Sequence, residues 1–212
     1  MLEHVLILGA GGQIARHVID LLSGQGGVRL TLFARSSSKL HRVPTTARVV
    51  EGDVLDQTVL ASAMAGQDLV YANLTGDDID EQAKAVIATM KSAGIGRLIF
   101  VTSLGIYDEL PGKFQTWNKA MIGEELKPFR RASDAIEASG LGYTILRPAW
   151  LTDEGAIDYE ITAKDETFRG TEVSRRSVAD LIAKTIVTPT LHVRANLGVN
   201  KPGTDGDKPS FY

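Results

Sequence analysis

Gly9, Gly11 and Gly12 follow the unbroken apolar run of residues 5–8, and Ile14, Val18, Ile19 and Leu22 then recur at helical spacing. That order is strand, tight turn, helix. Gly9 permits the turn, while Gly11 and Gly12 let backbone amides approach an anion with no Cβ in the way. With Ala15 as the small residue that lets helix and strand pack closely, the pattern reads Gly-x-x-Gly-x-x-Ala, a cradle for a dinucleotide pyrophosphate.

A second chemical signal lies at the end of the next strand, residues 28–34, where the residue that meets the adenosine ribose should sit. A carboxylate there accepts from ribose hydroxyls and repels a 2′-phosphate. This chain has Arg35 instead, followed by Ser36, Ser37, Ser38 and Lys39. The planar fork of the guanidinium suits a phosphate, and the hydroxyls and second cation add to it, so the spacing predicts NADP rather than NAD. It also argues against a methyltransferase. The plain alternative is that Arg35 is a solvated loop cation.

The elements that must position these groups alternate along the chain. Third to sixth strands are predicted at residues 47–50, 68–74, 97–103 and 141–146, with helices at 56–64, 79–93 and 122–139 between them. Asp56 is the expected N-cap of the first of these helices, and Pro128 should break, kink or restart the last. Beyond Pro148 the rhythm changes: residues 158–163 and the surroundings of Phe168 read as short strands, 177–187 as a helix and 192–197 as an edge strand. The fold class is therefore α/β, a Rossmann-type doubly wound parallel sheet. Residues 1–212 form a single domain, with 151–212 as a small C-terminal elaboration on the substrate side.

Composition narrows the function classes. With 212 residues, 43% of them apolar and 23% charged, the chain reads as an ordinary globular protein with one sizeable core. Its net charge of −3 and isolated basic pairs give no reason to expect nucleic acid. Having no cysteine, it excludes disulfides and thiolate chemistry. The four histidines are dispersed without metal-ligand spacing, so no metal is expected. No apolar run approaches membrane-spanning length and no leader is seen, which makes a cytoplasmic location and no membrane partner the expectation. A monomer or homodimer is equally compatible.

Ligands of doubly wound sheets bind beyond the carboxyl ends of the strands. Besides Gly9 and Arg35, those ends carry Asp53, residues 73–76, Thr102, Ser103, Pro148, Ala149 and Trp150. Asp53 can accept from an adenine amino group beside the Val54 backbone, or simply cap a turn. Asn73, Leu74, Thr75 and Gly76 would pass under the ribose, or form an ordinary strand-end turn.

The glycine turn, Arg35, the step Gly52-Asp53-Val54, the strand ending Val101-Thr102-Ser103 and the segment from Ala138 to Pro148 resemble the atypical short-chain dehydrogenase/reductases, in their NmrA-like, NAD(P)H-binding branch. The resemblance runs into the C-terminal part, at residues 172–180. It implies that Gly9, Gly11, Gly12, Gln13 and Ile14 hold the pyrophosphate, Arg35 and Ser36 the 2′-phosphate, and Asp53 with Val54 the adenine. Leu74 and Thr75 would line the ribose, and Pro148, Ala149 and Trp150 would sit near the nicotinamide.

The chain departs from the superfamily at the proton donor. Reductases of this kind use a Tyr-x-x-x-Lys pair on the helix after the fifth strand, with a strand-end serine orienting the carbonyl. Ser103 occupies the serine position, but no Tyr-x-x-x-Lys occurs anywhere. Tyr107 can serve as a displaced donor with Lys119 or Arg130 as its electrostatic helper, or it can be a loop aromatic of the cleft. The connection over residues 104–119 reads as a long substrate lid. Two functions survive: an NADP(H)-dependent oxidoreductase passing hydride to a small carbonyl, quinone or flavin acceptor, and a non-catalytic NADP(H)-binding sensor that controls a protein partner.

Overall fold

The computed structural model describes residues 3–212. β1 (Glu3–Leu8), β2 (Val28–Ala34), β3 (Arg48–Glu51), β4 (Leu69–Ala72), β5 (Arg97–Val101) and β6 (Gly142–Pro148) alternate with helices. The helices are α1 (Gln13–Ser23), α2 (Gln57–Met64), α3 (Ile79–Ala93) and α4 (Gly112–Glu137). There follow β7 (Trp150–Thr152), β8 (Glu160–Thr162), β9 (Glu172–Ser174), α5 (Arg175–Val187) and β10 (Ala195–Asn200). One eight-stranded sheet runs β3-β2-β1-β4-β5-β6-β10-β8, and β7 and β9 form a separate parallel pair. Every pairing in the large sheet is parallel except that of β8 with β10. The chain is thus the α/β, Rossmann-type architecture expected.

β1 is buried on both faces: Val5 and Ile7 point to one core, Leu6 and Leu8 to the other. That explains its uninterrupted apolar run. The first core is closed by α1 and α5, the second by α2, α3 and the latter half of α4. Because the neighbours of β1 are β2 on one side and β4 on the other, the order reverses there, and a crevice opens at its carboxyl end. Asp56 caps α2 as predicted, accepting from the amides of Thr58 and Val59. α3 has the predicted bounds and ends on Gly94 with φ 73°, the left-handed cap that glycine takes at least cost.

Several expectations are corrected. The latter half of the supposed lid at residues 104–119 is helix: α4 begins at Gly112, directly after Pro111. α4 carries a kink at Ile122, where φ is −137°, so the expected start at 122 marks only its second segment. Pro128 lies inside that second segment, six residues past the kink, and offers no amide to bond back toward Glu124. β10 is not an edge strand, because β8 adds to it from outside. Phe168 lies in no strand; its ring is buried against Gly198, where a Cβ would meet it at 2.6 Å. No helix among the described residues is long and apolar enough to cross a membrane.

Candidate functional site

At the crevice beside β1 lies a cleft of about 410 Å³. It collects Gly9, Gly11 and Gly12 with Arg35 and Ser36 from the end of β2, and Asp53 and Val54 after β3. Asn73, Leu74 and Thr75 after β4 complete it. The cleft thus brings together residues separated in sequence, drawn from the glycine turn and from the ends of β2, β3 and β4. Gln13 and Ile14 do not line the cleft with their side chains: Gln13 is exposed and Ile14 is buried beneath α1.

The geometry of the turn explains the glycines. Gly9 has φ 74°, and a Cβ there would collide with the Asn73 carbonyl. A Cβ on Gly12 would collide with the Asn73 side-chain amide, and one on Gly11 would meet Lys39 Cβ at 3.2 Å. The amides of Gly9 and Ala10 both donate to the Phe33 carbonyl at 3.0 Å, which ties the turn to β2. Gly12 leaves α1 without a side-chain cap. The first amides of α1, at Gln13 and Ile14, therefore face the cleft end of the helix with no intrahelical acceptor, the standard arrangement for an anion.

Around the end of β2, Lys39 joins Arg35 and Ser36 in the cleft wall. Neither cation is in an ion pair among the described residues. A short 3-10 turn, Ser37–Lys39, shapes this corner. Its first amide donates to Glu51 Oε2 at 2.8 Å, and that bond holds the Glu51 carboxyl below its ordinary range. Asp53 accepts from the Leu55 amide at 2.9 Å, so one oxygen serves a turn. Two residues not anticipated as cleft groups, Asp78 and Gln82, also line it; Gln82 donates to Asp78 Oδ1 at 2.7 Å and to the Thr75 carbonyl at 3.1 Å. Both belong to the start of α3, beyond the strand-end positions from which the other groups are expected.

Pro148, Ala149 and Trp150 lie outside this cleft, at the end of β6. They adjoin the Ser103 loop, since the Leu104 amide donates to the Pro148 carbonyl at 3.2 Å. Ser103 is half-buried there. Trp150 packs with Trp117 of α4 and with Tyr212, ring centroids 5.0 and 5.1 Å away. Beneath these rings is Asn118, fully buried, whose Oδ1 accepts from Trp150 Nε1 at 2.9 Å. Indole N–H only donates, so this bond fixes which way the amide faces. Asn118 Nδ2 then has no partner among the described residues, beside the Gly105 backbone. An unsatisfied buried donor costs about 1–3 kcal/mol, and ligand binding is one standing reason for such a group to exist. Its only sequence signal is its place two turns into α4, a segment read as loop.

Tyr107 and Lys119 are not brought together. The Tyr107 hydroxyl lies 2.6 Å from Ser133 Oγ and accepts from Asn196 Nδ2 at 2.9 Å. Lys119 pairs instead with Asp108 at 2.8 Å on the surface. The cations over the Tyr107 ring are Lys164 at 4.3 Å, Arg130 at 4.6 Å and Arg147 at 5.5 Å. Burial, foremost, pushes the Tyr107 phenol above its ordinary value. That is opposite to the lowering a Tyr–Lys proton donor receives.

A family model described as NAD(P)H-binding matches residues 9–189, and the chain belongs to that family of Rossmann-fold oxidoreductases. A Rossmann-fold NAD(P)-binding family protein from Shigella flexneri shares 57% identity over the whole of both chains, with a TM-score of 0.87. A short-chain dehydrogenase/reductase from Veillonella parvula, solved in complex with NADP, is 27% identical over the whole of both chains, TM-score 0.89. Among curated relatives, a protein from Bacillus subtilis named as an uncharacterized sugar epimerase, YhfK, is 28% identical over 86% of each chain. The short-chain dehydrogenase/reductase resemblance drawn from the sequence therefore holds.

Proposed function

We propose that the chain is an NADPH-dependent reductase of the atypical short-chain type, acting on a small carbonyl, quinone or flavin acceptor. The observation that carries this reading is the cleft corner at the end of β2, which Arg35, Lys39 and Ser36 line and where neither cation has a carboxylate partner among the described residues. A 2′-phosphate fits that corner, and a bare ribose diol leaves two cations unanswered. The Veillonella neighbour solved with NADP supports the choice of cofactor.

NADPH, when bound, supplies the hydride. The glycine turn and the α1 amides hold its pyrophosphate; Asp53 and the Val54 backbone meet the adenine, and Leu74 and Thr75 the ribose. At the other end Pro148, Ala149 and Trp150 bound the nicotinamide position, and Trp117 with Trp150 excludes water from it. Ser103 and the Asn118 amide orient the acceptor's polar atom, so that negative charge developing there meets donors already in place. Tyr107, its hydroxyl committed to Ser133 and Asn196, is a positioning residue of the loop rather than the proton source. An acceptor whose charge delocalises lessens the need for a strong acid. The protein acts as a soluble, cytoplasmic enzyme on this reading.

Calorimetric titration with NADPH and NADH, followed by a spectrophotometric oxidation screen against menadione, FMN and small aldehydes, tests the proposal. NADPH preference with turnover supports it. Tight binding without consumption replaces it with the sensor reading, or with a redox-neutral isomerisation of the kind the Bacillus relative's name suggests. Absence of binding removes it.

A further inference from the structure

A second concavity, of about 320 Å³, opens where residues 40–42 face the solvent side of α1. α1 contributes Arg16, His17 and Asp20, and the facing segment contributes His41 and Arg42. Ile19 and Leu40 supply an apolar floor. Its polar groups are unspent. Arg16 and Asp20 stand four residues apart on one helix, the spacing that closes the pairs Arg130–Asp134 at 2.9 Å and Lys184–Asp180 at 2.6 Å elsewhere in the fold. Yet among the described residues none of the five polar side chains in this groove joins a side-chain hydrogen bond or an ion pair.

We propose that this groove is a second anion site, one that takes a phosphate group and is separate from the phosphate positions of the cofactor cleft. Two guanidinium forks and two imidazoles on facing elements can donate to one tetrahedral anion, and the single carboxylate leaves the balance positive. The apolar floor accommodates the carbon portion of a phosphate ester. The local field agrees with this. His17 is held below its ordinary value by burial first and then by Arg176 of α5 and by Arg16, against the opposite pull of Asp20 and Asp153. An anion in the groove reverses that balance.

The groove and the cofactor cleft share a wall. Lys39 faces the cleft and touches the glycine turn, whereas the next three residues face the groove. Anion binding holds the segment that also carries Ser36 and Lys39, so whatever change it makes in NADP+ affinity must be returned by NADP+ on the anion.

Nuclear magnetic resonance of the histidine rings tests the site without reference to turnover. The intact chain is titrated with inorganic phosphate and with glycerol 3-phosphate, in the absence and in the presence of saturating NADP+. The expected result is a saturable shift of His17 and His41, a rise in the His17 titration midpoint, and persistence of both with NADP+ bound. The double variant Arg16→Gln, Arg42→Gln should weaken phosphate by about tenfold or more while leaving NADP+ affinity nearly unchanged. Tighter binding of the ester identifies a phosphate monoester as the ligand, and equal binding identifies free phosphate. Rings that do not shift, a shift abolished by NADP+, or equal binding by the double variant overturns the proposal. Absence of turnover would leave all these outcomes intact, and absence of NADP+ binding would still leave the phosphate titration and the double variant as tests.

Discussion

Arg35 is an exposed arginine whose importance depends wholly on what it faces, and here it lines the cleft at the end of β1 together with Lys39. On the proposed reading, replacing Arg35 with glutamate puts a repelling carboxylate where a 2′-phosphate would sit. NADPH affinity should fall by about 100-fold while NADH changes by less than about threefold, read by calorimetry. Equal losses for both would make Arg35 structural. Asn118 invites the sharper substitution, Asn118→Asp. This keeps an oxygen for Trp150 Nε1 but exchanges the unpartnered donor for an acceptor. If Nδ2 holds the acceptor's oxygen, kcat/KM should drop by about 10- to 100-fold with NADPH affinity preserved. Unchanged kcat/KM would remove Asn118 from the site.

Among the elements, α3 and α4 are tied by Arg131 Nε donating to Asp80 Oδ2 at 2.6 Å. That bond, foremost, holds the Asp80 carboxyl below its ordinary value. A depressed folded pKa stabilises the fold above the unfolded value of about 3.9 and ceases to do so as the pH falls through the lower folded value. Arg131→Gln should therefore destabilise the fold only slightly near pH 7, because the arginine is largely exposed to solvent that screens the pair. The difference between variant and parent should shrink below about pH 4, and urea unfolding at several pH values would show it. A difference constant with pH would assign the loss to packing instead. These same elements show why part of the fold was legible and part was not. β1, the Asp56 cap and α3 carry their signals within a few residues. The pairing of β7 with β9, or of β8 outside β10, depends on partners distant in sequence, which no local pattern encodes. The first segment of α4 was hidden differently: Pro111 and Gly112 read as loop punctuation, although a proline ahead of a first turn is also a start signal. Missing that segment meant missing Asn118. Most of the cleft, in contrast, could be read because its walls are largely strand ends; Asp78 and Gln82, which come from the start of α3, were the exception.

For the molecule as a whole, the decisive contact is a buried ion pair that joins the sheet interior to the loop carrying Ser103. Arg147 of β6 is fully buried and Glu109 nearly so, and the two are bonded through Nη1 and Oε1. Arg147 Nε also donates to Asn196 of β10 at 2.8 Å. Glu109 in turn accepts from the amides of Gly105 and Tyr107 at 3.0 and 2.9 Å, so one carboxylate shapes the loop between β5 and α4. Taking charges out of water costs several kcal/mol each, which makes the intact pair weak evidence of net stabilisation but makes its rupture expensive. Arg147→Met leaves Glu109 as an uncompensated buried charge and should cost about 3–5 kcal/mol. At about 2–4 °C per kcal/mol for a chain of this size, Tm should fall by roughly 6–20 °C. Adding Glu109→Gln removes the stranded charge but keeps an oxygen for only one of the two amides, which now bond to different carboxylate oxygens, so the double variant should recover part of the loss. Thermal denaturation followed by circular dichroism compares the two. A double variant no more stable than Arg147→Met would show that lost packing around the guanidinium, rather than the unpaired carboxylate, sets the cost.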